Sequence, residues 1–164
     1  MIKPLTLMTC VAIGVSLLSF KTSGPLTVAE YAEACGLSEE EFVLFSSVVE
    51  AESNRQAPEE GELTTEGRIY IALTIWNRLN DSDRWHCETV TEVLTAPGQF
   101  STVRRGSSVT NRTEWSDRAV YEAWLWLNQE DSDAPDVQFF RCGHYFSGVT
   151  PCCESGGNYF SYGY

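Results

Sequence analysis

The 164-residue chain is the size of one domain, and its 43% hydrophobic and 21% charged content is that of a globular protein rather than a disordered one. Its formal net charge is -12, and its basic residues are scattered apart from Arg104-Arg105. No Lys/Arg stripe is present to neutralise phosphates, so nucleic acid is excluded as a partner.

In chain order, Lys3 precedes an almost uncharged stretch, residues 4–20, rich in Leu, Val, Ile and Met. It is short for a spanning helix and has the character of the apolar part of a secretory signal. Thr22 and Gly24 are small, but no A-x-A cleavage pattern follows. Residues 1–24 are therefore read as a signal peptide or as an N-terminal membrane anchor. Export, either secreted or to the cell envelope, is expected in both cases.

Residues 25–164 form the domain. Thr27 with Glu30 is a capping box, and Gly36 is a natural helix stop. Ser38 with Glu41 repeats the signature and opens a second helix over 38–53. Residues 54–62 are polar and turn-rich. A third helix spans 65–79, with Ile69, Ala72, Ile75, Trp76 and Leu79 at helical spacing. Residues 90–94 make one further turn of helix, ended by Pro97-Gly98. Another helix covers 113–128, with Ala119, Ala123, Trp124 and Leu127 along one side. The period then changes, and 137–140 and 159–160 read as short strands. The expected fold is mainly α, of the α+β class, with a β-like aromatic tail.

Six cysteines are present, and Cys10 lies in the export segment. Outside the cytoplasm the other five tend to pair, with one left over. Cys142 and the Cys152-Cys153 pair flank a loop of about ten residues, which a disulfide closes with a gain of about 2–3 kcal/mol. One bond is expected from Cys142 to Cys152 or Cys153, and a second among Cys35, Cys87 and the remaining thiol. His86, Cys87, Cys142, His144 and Cys152-Cys153 suit zinc by type, but no C-x2-C or H-x3-H spacing is present. Neither a metal nor another cofactor is expected.

The informative residue lies on the second helix. At 100° per residue, Phe42, Phe45, Val48 and Val49 fall on one arc, with Glu52 at its centre and Glu50 off it, near Ser46 and Val43. A carboxylate on an apolar face is partly desolvated, which keeps it protonated and ready to act as a general acid. The competing reading of the same geometry is a frayed last turn from which Glu52 simply reaches water.

The stretch Val48-Val49-Glu50-Ala51-Glu52-Ser53 resembles the acid-bearing helix end of the SleB-like cell wall hydrolases, the group of the spore-cortex-lytic enzymes. Glu52-Ser53 is also similar to the Glu-Ser pair of soluble lytic transglycosylases, relatives within the lysozyme-like fold. Glu66-Gly67-Arg68, continuing to Trp76-Asn77-Arg78-Leu79, resembles the family's second block. Residues 90–94 followed by Pro97-Gly98-Gln99-Phe100-Ser101 resemble the third. Phe139-Phe140-Arg141 and Gly157-Asn158-Tyr159-Phe160-Ser161 are similar to the aromatic ending of some members. The blocks span 48–161 in the family's order.

The resemblance implies a lysozyme-like helical domain that cuts the MurNAc-GlcNAc β-1,4 bond of bacterial peptidoglycan. It implies Glu52 as the catalytic acid. The loop after it is longer than usual, and because an insertion there can shift the register, Glu50 is the second choice. Gln99 is expected to bond an N-acetyl group, and Phe100, Tyr145 and Tyr159 to stack on sugars, with core packing the competing role for Phe100 and Tyr159. Asn77 reads as a buried structural hydrogen-bonder, and His144 has no assigned chemistry. Glycan strands are the expected partner; no protein partner is expected. The rival functions are a non-catalytic glycan-binding protein of the same fold and a zinc-dependent wall amidase. Ordinary glycosidases need two carboxyl groups across the scissile bond. Glu59, Glu60 and Glu62 lie in a polar loop with nothing to fix them opposite Glu52, so a one-carboxylate, transglycosylase-type reaction is expected.

Overall fold

Helix starts in this chain are set by short polar residues whose side-chain oxygens satisfy the first free amides. Thr27, Ser38, Thr65, Thr89 and Thr113 all do this, four of them within full capping boxes. A computed structural model describes residues 26–100, 103 and 111–162, so the expected export segment lies outside the described residues. The helices are α1 (Val28–Cys35), α2 (Glu39–Glu52), α3 (Glu66–Asn80), α4 (Ser82–Trp85), α5 (Val90–Thr95) and α6 (Glu114–Leu127). They are followed by β1 (Val137–Cys142), β2 (Pro151–Ser155) and β3 (Asn158–Tyr162). The architecture is α+β, with a three-stranded antiparallel sheet in the order β1-β3-β2. None of the described helices is long and apolar enough to cross a membrane.

The core is built around α2 and α3. Phe42, Phe45, Val48 and Val49 from α2 and Ile71, Leu73 and Ile75 from α3 are fully buried, with Ala119, Val120 and Ala123 of α6 closing one side and Val137 and Phe160 of the sheet another. Because α2 packs against α1, α3, α5 and α6, it has no solvent-facing stripe in its C-terminal half. Ser46, Ser47 and Glu50 are buried there along with the apolar residues. A helix with neighbours on several sides must bury part of its polar arc, and a polar group so buried is costly unless it is paired, as Ser46 and Glu50 are.

β2 and the short α4 are absent from the sequence reading. Pro151, the nearby glycines and a bulge between Pro151 and Cys153 break the period of two that marks a strand. Gly156 and Gly157, with φ of 62° and 78°, form the two-residue turn that closes β2 onto β3, where Ser155 pairs with Asn158. Both backbones need the left-handed region, which glycine enters without steric cost.

This topology corrects the expected disulfide. β3 runs between β1 and β2, and Cys142 pairs with Asn158 whereas Cys153 pairs across Phe160. Two strand spacings plus two residues of stagger put their Cα atoms roughly 12 Å apart, beyond the ~7 Å a disulfide tolerates. Cys35, Cys87, Cys142, Cys152 and Cys153 are all free thiols, and the first two are buried. The second expected bond is therefore absent as well. The ten-residue span is misleading because β1 and β2 run parallel to each other. Residues 143–150 carry the chain back along the sheet instead of closing a tight loop.

Candidate active site

The end of α2, the start of α3 and the tip of the β2–β3 hairpin meet at one place. After Glu52, Ser53 caps the helix: its amide donates to Val49 and Glu50 carbonyls, and its hydroxyl donates to the Glu50 carbonyl at 2.8 Å. Asn54 and Arg55 then adopt left-handed backbone, with φ of 56° and 55°, and turn the chain away. Two side-chain amides tie this turn to the sheet. Asn158, 3% exposed, donates to the Glu52 carbonyl at 3.0 Å, and Asn54 donates to the Gly156 carbonyl at 3.0 Å. Gly67, in the first turn of α3, lies so near β2 that an added Cβ would be 3.3 Å from the Ser155 carbonyl oxygen. Close helix-to-strand approach thus depends on a missing side chain.

The two candidate acids part company here. Glu50 is the deeply buried one, at 3% exposure, and both its oxygens are engaged. Arg68 donates to them from Nε and Nη2 at 2.8 Å each, and the Thr113 hydroxyl donates to Oε2 at 2.8 Å. Arg68 is itself fully buried, and its Nη1 donates to the Gln56 carbonyl at 2.6 Å and to Thr65 Oγ1 at 3.1 Å. The indole of Trp115 covers the guanidinium at 5.3 Å. Both oxygens are thus committed as acceptors in a two-pronged fork. Glu50 therefore locks α2, α3 and the start of α6 together. Glu52 is half-buried at the open margin of the apolar arc, beside the hairpin tip. The arc that holds Ser46 and Glu50, off the apolar face, is itself interior, because it faces α6 and Arg68 of α3.

A second polar layer lies beside the first. Ser46 donates to Asp117 Oδ1 at 2.6 Å and bonds the Ser116 hydroxyl at 2.8 Å, while Arg112 pairs with Asp117 from outside. Burial pushes the Asp117 carboxyl above its ordinary value, against the opposing pull of the Ser46 bond and Arg112.

The expected sugar-binding residues divide into two groups. Tyr159 and Tyr145 come together, edge to face at 5.0 Å, because the 143–150 return segment crosses the outer side of β3. Both are half-buried, and Glu154, paired directly with Tyr159 across the sheet, holds the Tyr159 hydroxyl above its ordinary value. Gln99 and Phe100 lie elsewhere. Gln99 Oε1 accepts from Arg78 Nη1 at 2.8 Å. Phe100 is 5% exposed and packs with Phe140 at 6.2 Å. Together with Trp85 and Phe139 it surrounds the buried Arg78 guanidinium, 4.5 Å from the Trp85 ring and 5.3 Å from that of Phe100. Arg78 also donates twice to the Gln138 carbonyl, and burial lowers it to about 10. Gln99 and Phe100 thus both hold Arg78, Phe100 taking the core role weighed for it. Asn77 donates to the Pro135 and Val137 carbonyls at 3.0 Å, the structural role expected of it. His86 and His144 are exposed, and among the described residues no group of three or more His, Cys, Asp or Glu side chains could hold a metal ion.

Sequence reasoning missed Arg68 and Arg78, both inside α3, and the amides Asn54 and Asn158. The available signal was the pairing of Ser46 and Glu50 one turn apart in the largely apolar C-terminal half of α2, an arc whose burial calls for a cation opposite it. Comparison with known protein families, curated proteins and solved structures finds no match for this chain.

Proposed function

We propose that the chain is an exported enzyme that cuts peptidoglycan glycan strands, of lysozyme-like fold and resembling the SleB-like cell wall hydrolases, with Glu52 as its general acid. One observation carries the reading. Of the two acids in the motif at the end of α2, Glu50 is buried in the fork of Arg68 and Thr113, whereas Glu52 is half-buried and stands at the margin beside the hairpin. The position fits an acid that must meet a polymer from outside while remaining shielded on its helix side. Tyr145 and Tyr159 supply aromatic faces for sugar rings on the neighbouring sheet surface.

With one carboxyl group, the reaction runs in two proton transfers. Glu52 protonates the glycosidic oxygen as the bond to the muramic C1 breaks. The resulting carboxylate then takes the proton of the C6 hydroxyl of the same sugar as that oxygen attacks C1. Holding both groups in one ring replaces an activated water by proximity. The product is a 1,6-anhydro-muramic end.

The test is digestion of purified peptidoglycan in water enriched in heavy oxygen, with muropeptides weighed afterwards. Unlabelled anhydro ends are expected. Labelled reducing ends would make the enzyme a hydrolase with a second carboxyl group. Glu52→Gln is expected to fold and bind glycan while turnover falls about a hundredfold or more. Unchanged activity in that variant would remove Glu52 from the chemistry, and glycan binding without turnover in the parent protein would make this a non-catalytic binding domain.

A further inference from the structure

The neighbouring thiols Cys152 and Cys153 sit at the β2 bulge. In a regular strand, adjacent side chains point to opposite faces. Here Pro151 pairs with Ser161 and Cys153 with Phe160, so Cys152 is the extra residue set against a single step of β3. A bulge of this kind re-aims the inserted side chain, and both thiols pack against the core. They are consecutive in the chain, so the bulge that re-aims Cys152 decides how near its sulfur comes to that of Cys153. Both are half-buried, neither sealed off nor fully solvated. Among the described residues no other thiol competes for them. Cys142 is on the far side of β3, Cys35 is buried in α1, and Cys87 is buried with its thiol donating to the Trp85 carbonyl at 3.3 Å.

We propose that Cys152 and Cys153 form a redox-active vicinal dithiol, which closes to a disulfide between neighbouring residues when it meets a small or protein-borne disulfide. The electrons balance in two exchanges. The Cys152 thiolate attacks the incoming disulfide, forms a mixed disulfide and releases one thiol. Cys153 then loses its proton and attacks the Cys152 sulfur, releasing the second thiol. The pair gives up two electrons and two protons, and the incoming disulfide becomes two thiols. Burial, reinforced by Cys152, pushes the Cys153 thiol up to about 12.

The ring is reversible for a geometric reason. Consecutive Cα atoms are about 3.8 Å apart, short of the roughly 4.4–6.8 Å that ordinary disulfides span. Such a bond is strained and is reopened by mild reductants, which is the property of labile disulfides rather than structural ones. The bulge is three residues from the hairpin turn whose Gly156 carbonyl is held by Asn54, so closure takes place on the strand that abuts the end of α2.

The full reduced chain is incubated in buffers of graded glutathione to glutathione-disulfide ratio, blocked with an alkylating agent and cut after Tyr145 and Phe146 to separate Cys142 from the pair. In the disulfide-rich buffer most of the peptide containing residues 152 and 153 is expected two hydrogens lighter and unalkylated, while Cys142 does not join the link. Dithiothreitol is expected to restore two alkylatable thiols. Cys142→Ser is expected to leave ring formation unchanged, and Cys152→Ser to abolish it at unchanged melting temperature. Two alkylated thiols in the disulfide-rich buffer, stable glutathione adducts on both, or a link to Cys142 or to a second chain would overturn the proposal.

Discussion

Arg68→Met removes the cation from the most buried polar cluster of the protein. Four hydrogen bonds go with it, two to Glu50 and one each to the Gln56 carbonyl and Thr65. Gln56 is exposed and Thr65 half-buried, so water replaces Arg68 at both. Glu50, at 3% exposure, cannot be rehydrated and keeps only the Thr113 hydroxyl. The cost is therefore set by one uncompensated buried carboxylate, about 3–5 kcal/mol. For a domain of this size that corresponds to a melting temperature lower by about 10–15 °C. The double variant Arg68→Met/Glu50→Leu removes both charges and keeps the volume filled, and it is expected to recover to within about 1–2 kcal/mol of the parent. Urea unfolding of the parent, both single variants and the double variant measures the coupling as a cycle. The reasoning fails if Arg68→Met costs under about 1 kcal/mol, or if the double variant loses the sum of the two single losses.

Two further outcomes follow from the same contacts. Asp117 has its folded-state value raised from 3.8 by burial, so the folded protein favours the neutral form. Its contribution is favourable at low pH and is lost as pH rises through the raised value. The stability of the parent relative to Asp117→Asn is therefore expected to decline as pH rises above 3.8, read by urea unfolding across the acid range; a flat difference would refute it. Gly67→Ala would ordinarily stabilise a helix by up to about 1 kcal/mol. Here the new methyl group meets the Ser155 carbonyl at 3.3 Å, backbone that cannot swing aside, and a loss of about 1–2 kcal/mol is expected instead. A gain on chemical denaturation would show that β2 yields.

Apart from the short α4, which has no side-chain cap, the helices were legible in the residue order because their signals are local. A Ser or Thr three residues before a Glu or Ser writes a helix start with no help from distant parts of the chain, and the starts of α1, α2, α5 and α6 fall where those pairs stand. Apolar spacing likewise marked α3 and its core face. The sequence alone also placed two carboxylates at the end of α2, but it could not decide which of them meets solvent. Periodicity reports which residues share an arc and not how many arcs are covered. α2 has neighbours on several sides, so the arc holding Ser46 and Glu50 became interior once Arg68 and Thr113 arrived opposite it, 18 and 63 residues away along the chain. The thiols followed the same logic. Their separation along the chain suggested a bridge from Cys142, and only the insertion of β3 between β1 and β2 set Cys142 apart and left Cys152 and Cys153 together. Local hydrogen bonding fixes where elements begin, whereas the pairing of charges and sulfurs depends on which elements become neighbours, and that is decided by packing at long range.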